Sequence, residues 1–163
     1  MKFTKVLSTL SAAVLAIAAL GLATAPAQAA TATTTFGVTA TVQATCSVTA
    51  TAMGFGTYIP TAASTSTSTV SVTCTNGTPA TFLLSAGLAT GATVTNRSMT
   101  GGAVLLNYGL YSDAAHTANF GATATPVNGT GSAVVTTVYG QVPATQYVAP
   151  GAYTDTITAT VSY

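Results

Sequence analysis

From Phe36 onward the chain alternates apolar and polar residues at a period of two, which in an extended strand puts successive side chains on opposite faces. Residues 36–52 begin the pattern, with Phe36, Val38, Ala40, Val42, Ala44, Cys46 and Val48 on one side and mostly Thr, Gln and Ser on the other. Thr69–Thr75 repeats it, setting Val70, Val72 and Cys74 against Ser71 and Thr73. Ala103–Tyr111 and Ala133–Val142 read as further strands. The last strand is the clearest, with Ile157, Ala159, Val161 and Tyr163 on one face and Thr156, Thr158, Thr160 and Ser162 on the other. Turn signals fall between these runs at Asn76-Gly77, Gly101-Gly102, Asn128-Gly129 and Pro150-Gly151. The Ser/Thr tract Ala62–Thr69 is read as a loop running into the strand that resumes at Val70. No stretch beyond residue 29 carries a 3.6-residue period, so the pattern predicts an all-β, immunoglobulin-like β-sandwich.

The first 29 residues follow a different rule. Lys2 and Lys5 form a positive start, Val6–Leu22 is an apolar stretch too short to cross a bilayer, and Ala27-Gln28-Ala29 is a small-residue cleavage signal. Residues 1–29 are therefore expected to be a secretory signal peptide cut before Ala30. Removing them from the 163 leaves 134 residues, enough for one core.

That cut also changes the charge. Only 3% of the sequence is charged, against roughly a quarter in ordinary soluble domains. Beyond Lys5 the charged residues are Arg97, Asp113 and Asp155, with His116 the one histidine, so the net charge goes from +1 to −1 once Lys2 and Lys5 are removed. No basic patch remains to neutralise phosphates, which excludes a nucleic-acid partner. Hydrophobic content of 48% argues against intrinsic disorder. In an oxidising compartment Cys46 and Cys74, both on apolar faces, are expected to form a buried disulfide between two strands. Two cysteines and one histidine fall short of the four ligands of a structural zinc site, so no metal is expected.

Catalysis has few reagents here. Asp113 and Asp155, the only carboxylate side chains, lie in different segments, and no Gly-x-Ser-x-Gly elbow is present to hold a nucleophile. Asp113 and His116 read as members of a polar loop after a strand rather than as parts of a triad. Arg97 reads as an arginine that caps or crosses a strand edge, and Asp155 as a carboxylate bonding turn amides where the final strand begins. The sequons at Asn76, Asn96 and Asn128 read first as turn residues. The predicted protein is neither an enzyme nor a cofactor binder. Its first strand is left over: Phe36–Val42 runs on towards Cys46 without a turn to fold it back, so its partner must be distant or in another molecule.

In order and spacing, the series Cys46-Ser-Val48, Phe55-Gly56-Thr-Tyr58, Val70-Ser-Val72-Thr-Cys74, Leu84-Ser-Ala-Gly87, Arg97-Ser-Met99, Leu106-Asn-Tyr108-Gly-Leu110-Tyr111-Ser-Asp113, Val138-Tyr139-Gly140 and Gly151-Ala-Tyr153-Thr-Asp155-Thr, closing on Val161-Ser-Tyr163, resembles the spore coat protein U domain shared with archaic (Csu-type) chaperone–usher pilins. Phe120-Gly121 stands where that family often has Trp-Gly.

The resemblance implies an incomplete immunoglobulin-like sandwich that lacks its last strand and is completed by a donor strand. It divides the chain into a signal peptide (1–29), a donor-strand extension (30–42) and a pilin domain (43–163). It makes Phe36, Val38, Ala40 and Val42 the donor anchors and sets Ile157, Ala159, Val161 and Tyr163 on the final strand beside the acceptor groove. The implied partners are a periplasmic chaperone, an outer-membrane usher and neighbouring subunits. The implied destination is the cell surface, by way of the periplasm, as a pilus for adhesion and biofilm formation. Two alternatives remain at this point, a coat protein that forms no pili and a carbohydrate-binding adhesin. The adhesin expectation is the weaker, because 134 residues leave no room for an added binding domain.

Overall fold

A computed structural model describes residues 28–121 and 123–163. The expected signal peptide therefore lies outside the described residues, apart from Gln28 and Ala29. The chain divides into two units, one ending at Thr39 and one running from Ala40 to Tyr163. In the first, residues 28–39 have no regular secondary structure and are exposed. The second holds eight strands: β1 (Cys46–Ala50), β2 (Ser64–Cys74), β3 (Pro79–Leu84), β4 (Arg97–Thr100), β5 (Leu105–Tyr111), β6 (Thr125–Asn128), β7 (Ala133–Val142) and β8 (Ala159–Ser162). They form a five-stranded sheet in the order β1-β2-β7-β5-β4 and a three-stranded sheet in the order β6-β3-β8, with every pairing antiparallel.

Alternation decides which side chains fill the space between the sheets. Val70, Val72 and Cys74 of β2 and Val138 and Val142 of β7 are buried, as are Ala80, Phe82 and Leu84 of β3 and Leu106, Tyr108 and Leu110 of β5. Phe82 packs on Phe120 with ring centroids 5.5 Å apart, supplying the aromatic mass of a core without tryptophan. Cys46 and Cys74 face each other directly in the β1–β2 register and are joined by a disulfide, with Cα atoms 4.1 Å apart. Closing a loop of 28 residues contributes ~3–4 kcal/mol in the chain-entropy picture.

Two sequence expectations are corrected. Ser64–Thr69 is not a loop but the first half of β2, paired with Thr137–Val142 of β7. Its outward Thr65 and Thr67 suit a pleated surface. Its inward serines meet backbone rather than core: the Ser64 hydroxyl donates to the Phe55 carbonyl at 2.8 Å and the Ser68 hydroxyl to the Thr51 carbonyl. Small hydroxyl side chains thus replace apolar ones where the strand faces another main chain.

The alternating run from Phe36 to Ala44 forms no strand, because a ladder needs a neighbour and pairing with β2 stops at Thr45, whose carbonyl accepts from the Thr75 amide at 2.9 Å. The final strand is regular only from Ala159. Upstream, Thr154 bridges Thr100 at the end of β4, and the Thr158 carbonyl accepts from Ser85 beside β3. The closing segment therefore passes from the edge of one sheet to the edge of the other.

Candidate functional site

β1 and β8 each pair on one side only, and they lie beside each other without a ladder between them. Beyond them the main chain diverges into two walls, Ala50–Pro60 after β1 and Gln146–Ala159 before β8. Between the walls run two adjoining hollows of about 400 and 630 Å³, which share Met53, Phe55, Met99 and Tyr153. Val70, Leu84, Leu110 and Val138 give the first hollow a floor drawn from both sheets. The interior of the sandwich is thus open along one side, and Met53, Phe55, Tyr58, Val148, Tyr153 and Ile157 are only partly covered by the core they pack on. Such an incomplete immunoglobulin-like sandwich leaves apolar surface and unpaired backbone in one place, a combination folded proteins ordinarily avoid.

The walls are held rigidly at defined points. The Tyr58 hydroxyl donates to the Pro143 carbonyl at 2.8 Å and accepts from the Gln146 amide at 3.1 Å. The Gln146 side chain then bonds both backbone groups of Asn107, accepting from its N–H at 2.8 Å and donating to its carbonyl at 2.9 Å, as a neighbouring strand would.

On the opposite wall Asp155 is the one carboxylate lining the first hollow. Its Oδ1 accepts from the Leu88 and Thr156 amides, both at 2.8 Å, and its Oδ2 accepts from the Tyr108 hydroxyl at 2.7 Å. This is the turn-bonding role read from the sequence, with Tyr108 as a partner that spacing did not reveal. Gly87 makes room for it: a Cβ there would lie 2.0 Å from Asp155 Oδ2, and its φ of +93° also requires glycine.

Burial, and next the bond to Asp155, raise the Tyr108 pKa well above its usual 10.0. A phenol whose folded pKa is raised contributes stability that is complete below the unfolded value and is lost as pH rises past it. Denaturant midpoints should therefore hold steady as far as Tyr108 governs them up to about pH 10 and fall above it. Tyr108→Phe should flatten the alkaline limb while costing the bond to Asp155, roughly 1 kcal/mol.

The sequence-selected residues are distributed unevenly. Ile157 and Ala159 line the groove. Val161 is half-buried on β8, and Tyr163 lies beyond the strand and is 63% exposed. In the N-terminal segment Phe36, Val38 and Val42 are 85%, 81% and 80% exposed, an unusual state for large apolar side chains at regular spacing, and Ala40 is exposed as well.

Asp113 and His116 sit in a loop away from the groove. The Asp113 carboxylate accepts from the Ala118 amide at 2.8 Å and from the Thr117 amide and hydroxyl, which hold its pKa below the usual carboxylate value. His116 packs edge-on against Tyr111 at 5.3 Å. Among the described residues no group of three His, Cys, Asp or Glu side chains is placed to hold a metal.

Met53, Phe55, Val148 and Tyr153 were not identified as site residues from the sequence. Their signal was the Met53-Gly-Phe55-Gly56 and Gly151-Ala-Tyr153 spacing, but nothing local distinguishes an apolar residue on an open groove from one in a closed core.

The sequence profile of the Spore Coat Protein U domain matches residues 32–160. Among solved structures, the chain is similar to one chain of the crystal structure of the CsuC-CsuE chaperone–tip adhesion subunit pre-assembly complex from archaic chaperone-usher Csu pili of Acinetobacter baumannii. The TM-score is 0.58 at 21% identity, and the match covers 76% of this chain and 40% of that one. Likeness at this identity speaks to the fold. No curated protein sequence matched.

Proposed function

Since the chain belongs to the Spore Coat Protein U domain family, we propose that it is an exported pilin-type structural subunit whose groove accepts an extended strand. In this reading its own Phe36–Val42 segment is the strand given to a neighbouring subunit. The observation that carries the reading is the apolar groove between two walls, continuous with the unpaired edge of β8. β-augmentation meets both needs of such a site, because main-chain bonds pair the edge and alternate side chains fill the hollows.

The donor fits in length and chemistry. Phe36, Val38, Ala40 and Val42 span roughly 20 Å at ~3.3 Å per residue. Burying the three large anchors contributes ~1.5–3 kcal/mol each, and each ladder bond ~0.5–1.5 kcal/mol. The gross gain is on the order of 10 kcal/mol, which must exceed the entropy lost on joining two molecules. Ala40 fills little, so its position contributes mainly backbone.

A periplasmic chaperone would cover the groove before assembly, an outer-membrane usher would pass subunits outward, and the resulting surface fibre would serve adhesion and biofilm formation. The proposed role is structural and uses no cofactor. Deleting Ala30–Thr41 tests it. Sheared surface material from the deletion strain should lack fibres under the electron microscope and lack a subunit ladder in unboiled gels, while the subunit still co-purifies with its chaperone. Fibres that persist would overturn the reading. A wild-type strain that places the protein on its surface without any fibre would favour the coat-protein alternative.

A further inference from the structure

Two exposed asparagines are each followed by glycine, Asn76-Gly77 in the turn after β2 and Asn128-Gly129 where β6 ends. This dipeptide is prone to deamidation for a steric reason. The glycine amide nitrogen loses its proton and attacks the asparagine Cγ, and glycine has no Cβ to hinder ring closure. An N–C bond forms, the side-chain nitrogen leaves as ammonia, and water then opens the cyclic imide to aspartate or isoaspartate. The step needs a glycine nitrogen that is free to lose its proton and to swing towards the side chain.

In this fold neither nitrogen is free. Gly77 N–H donates to the Gly129 carbonyl at 2.8 Å, and Gly129 N–H donates to the Thr78 carbonyl at 2.8 Å. The 76–77 turn and the end of β6 thus bond each other, next to the Pro79–Asn128 pair that begins the β3–β6 ladder. The contact leaves no slack, since a Cβ on Gly129 would lie 2.2 Å from the Thr75 carbonyl oxygen and 2.9 Å from Cys74 Cβ. Gly131 N–H bonds the Cys74 carbonyl at 3.1 Å, so the two Asn-Gly segments rest on the strand end fixed by the Cys46–Cys74 bridge.

We propose that the two Asn-Gly pairs are latent deamidation sites that are held silent together while this end of the sandwich is closed. Unfolding, or loosening of β2 by loss of the disulfide, exposes both. The chemical change is large for this chain, because each event adds a carboxylate to a sequence whose only carboxylate side chains are Asp113 and Asp155. The isoaspartyl product also lengthens the main chain at the end of β6.

The test follows aspartate and isoaspartate at residues 76 and 128 by peptide mass spectrometry during incubation in mildly alkaline buffer. The folded, disulfide-bonded chain is compared with the same chain reduced and held in denaturant. Conversion at both positions should be slower in the folded chain by the local opening equilibrium, on the order of 10-fold or more. Conversion of either asparagine in the folded chain at the unfolded rate would overturn the proposal. Gly129→Ala isolates the lock, since displacing the Gly129 carbonyl should speed deamidation at Asn76 in a chain that is otherwise folded. A folded Gly129→Ala chain with Asn76 still protected would also overturn it. Should that variant fail to fold, the folded-versus-unfolded comparison decides alone.

Discussion

Replacing Arg97 by alanine is expected to cost more than ~4 kcal/mol, enough to unfold a domain of ordinary stability. Arg97 lies on the edge strand β4, yet its side chain turns inward and is 0% exposed. Its guanidinium donates from Nε to the Ser85 carbonyl at 2.9 Å, from Nη1 to the Val94 carbonyl at 2.5 Å, and from Nη2 to the carbonyls of Phe120 at 2.9 Å and Leu84 at 3.4 Å. One side chain therefore caps the end of β3, the loop before β4 and the segment after β5.

Removing it leaves a cavity and up to four carbonyls short of a donor, and an orphaned buried acceptor costs ~1–3 kcal/mol. Burial disfavours the charge and lowers the Arg97 pKa, while the fields of Tyr108 and Asp155 act in the opposite direction. Arginine nonetheless stays protonated, and its planar fork reaches several carbonyls at once, so Arg97→Lys should recover only part of the loss. Denaturant unfolding of both variants measures this. A loss below about 1 kcal/mol in Arg97→Ala would mean that water serves these carbonyls and that the clamp contributes little.

The arginine also marks where sequence reading stops. A single cation in an apolar, Thr-rich chain looks like a surface residue near a strand edge, and only the arrangement of three loop carbonyls around it makes burial affordable. Where one face of a strand packs on core, period two was sufficient, as in Val70–Cys74, β5 and β7. It was insufficient for Ser64–Thr69, because the inward face there meets the 51–55 main chain and needs hydroxyls. β3 and β6 were missed for related reasons: β3 opens on Pro79 and ends on consecutive leucines, and β6 is a short edge strand with Pro126 inside it.

Asp155 was legible because a carboxylate at a strand start has few other uses. The groove was not, since Met53, Phe55 and Tyr153 differ from core residues only in what fails to cover them. The near-absence of charge fits this division of labour. A site made of backbone edges and apolar hollows needs no charged side chain except one that holds a wall, as Asp155 does.

The second large effect concerns the groove itself. A chain beginning at Ala44 keeps the disulfide, both walls and every core residue, yet its open side must stay exposed to water. We expect it to refold poorly alone and to recover when a peptide of residues 32–43 is present, because the peptide pairs the free edge of β8 and its anchors fill the two hollows. With three large anchors contributing ~1.5–3 kcal/mol apiece, a Val38→Asp peptide should lose most of its affinity, since it would bring an unpaired carboxylate into an apolar site.

The most direct measurement is amide hydrogen exchange on the truncated chain, with and without peptide. One peptide should bind per chain, with new protection at the Ala159 and Val161 amides on the open edge of β8 and along 50–55, and none of this with the Val38→Asp peptide. Binding without protection at those positions, or equal binding by both peptides, would contradict the claim that this groove takes a strand.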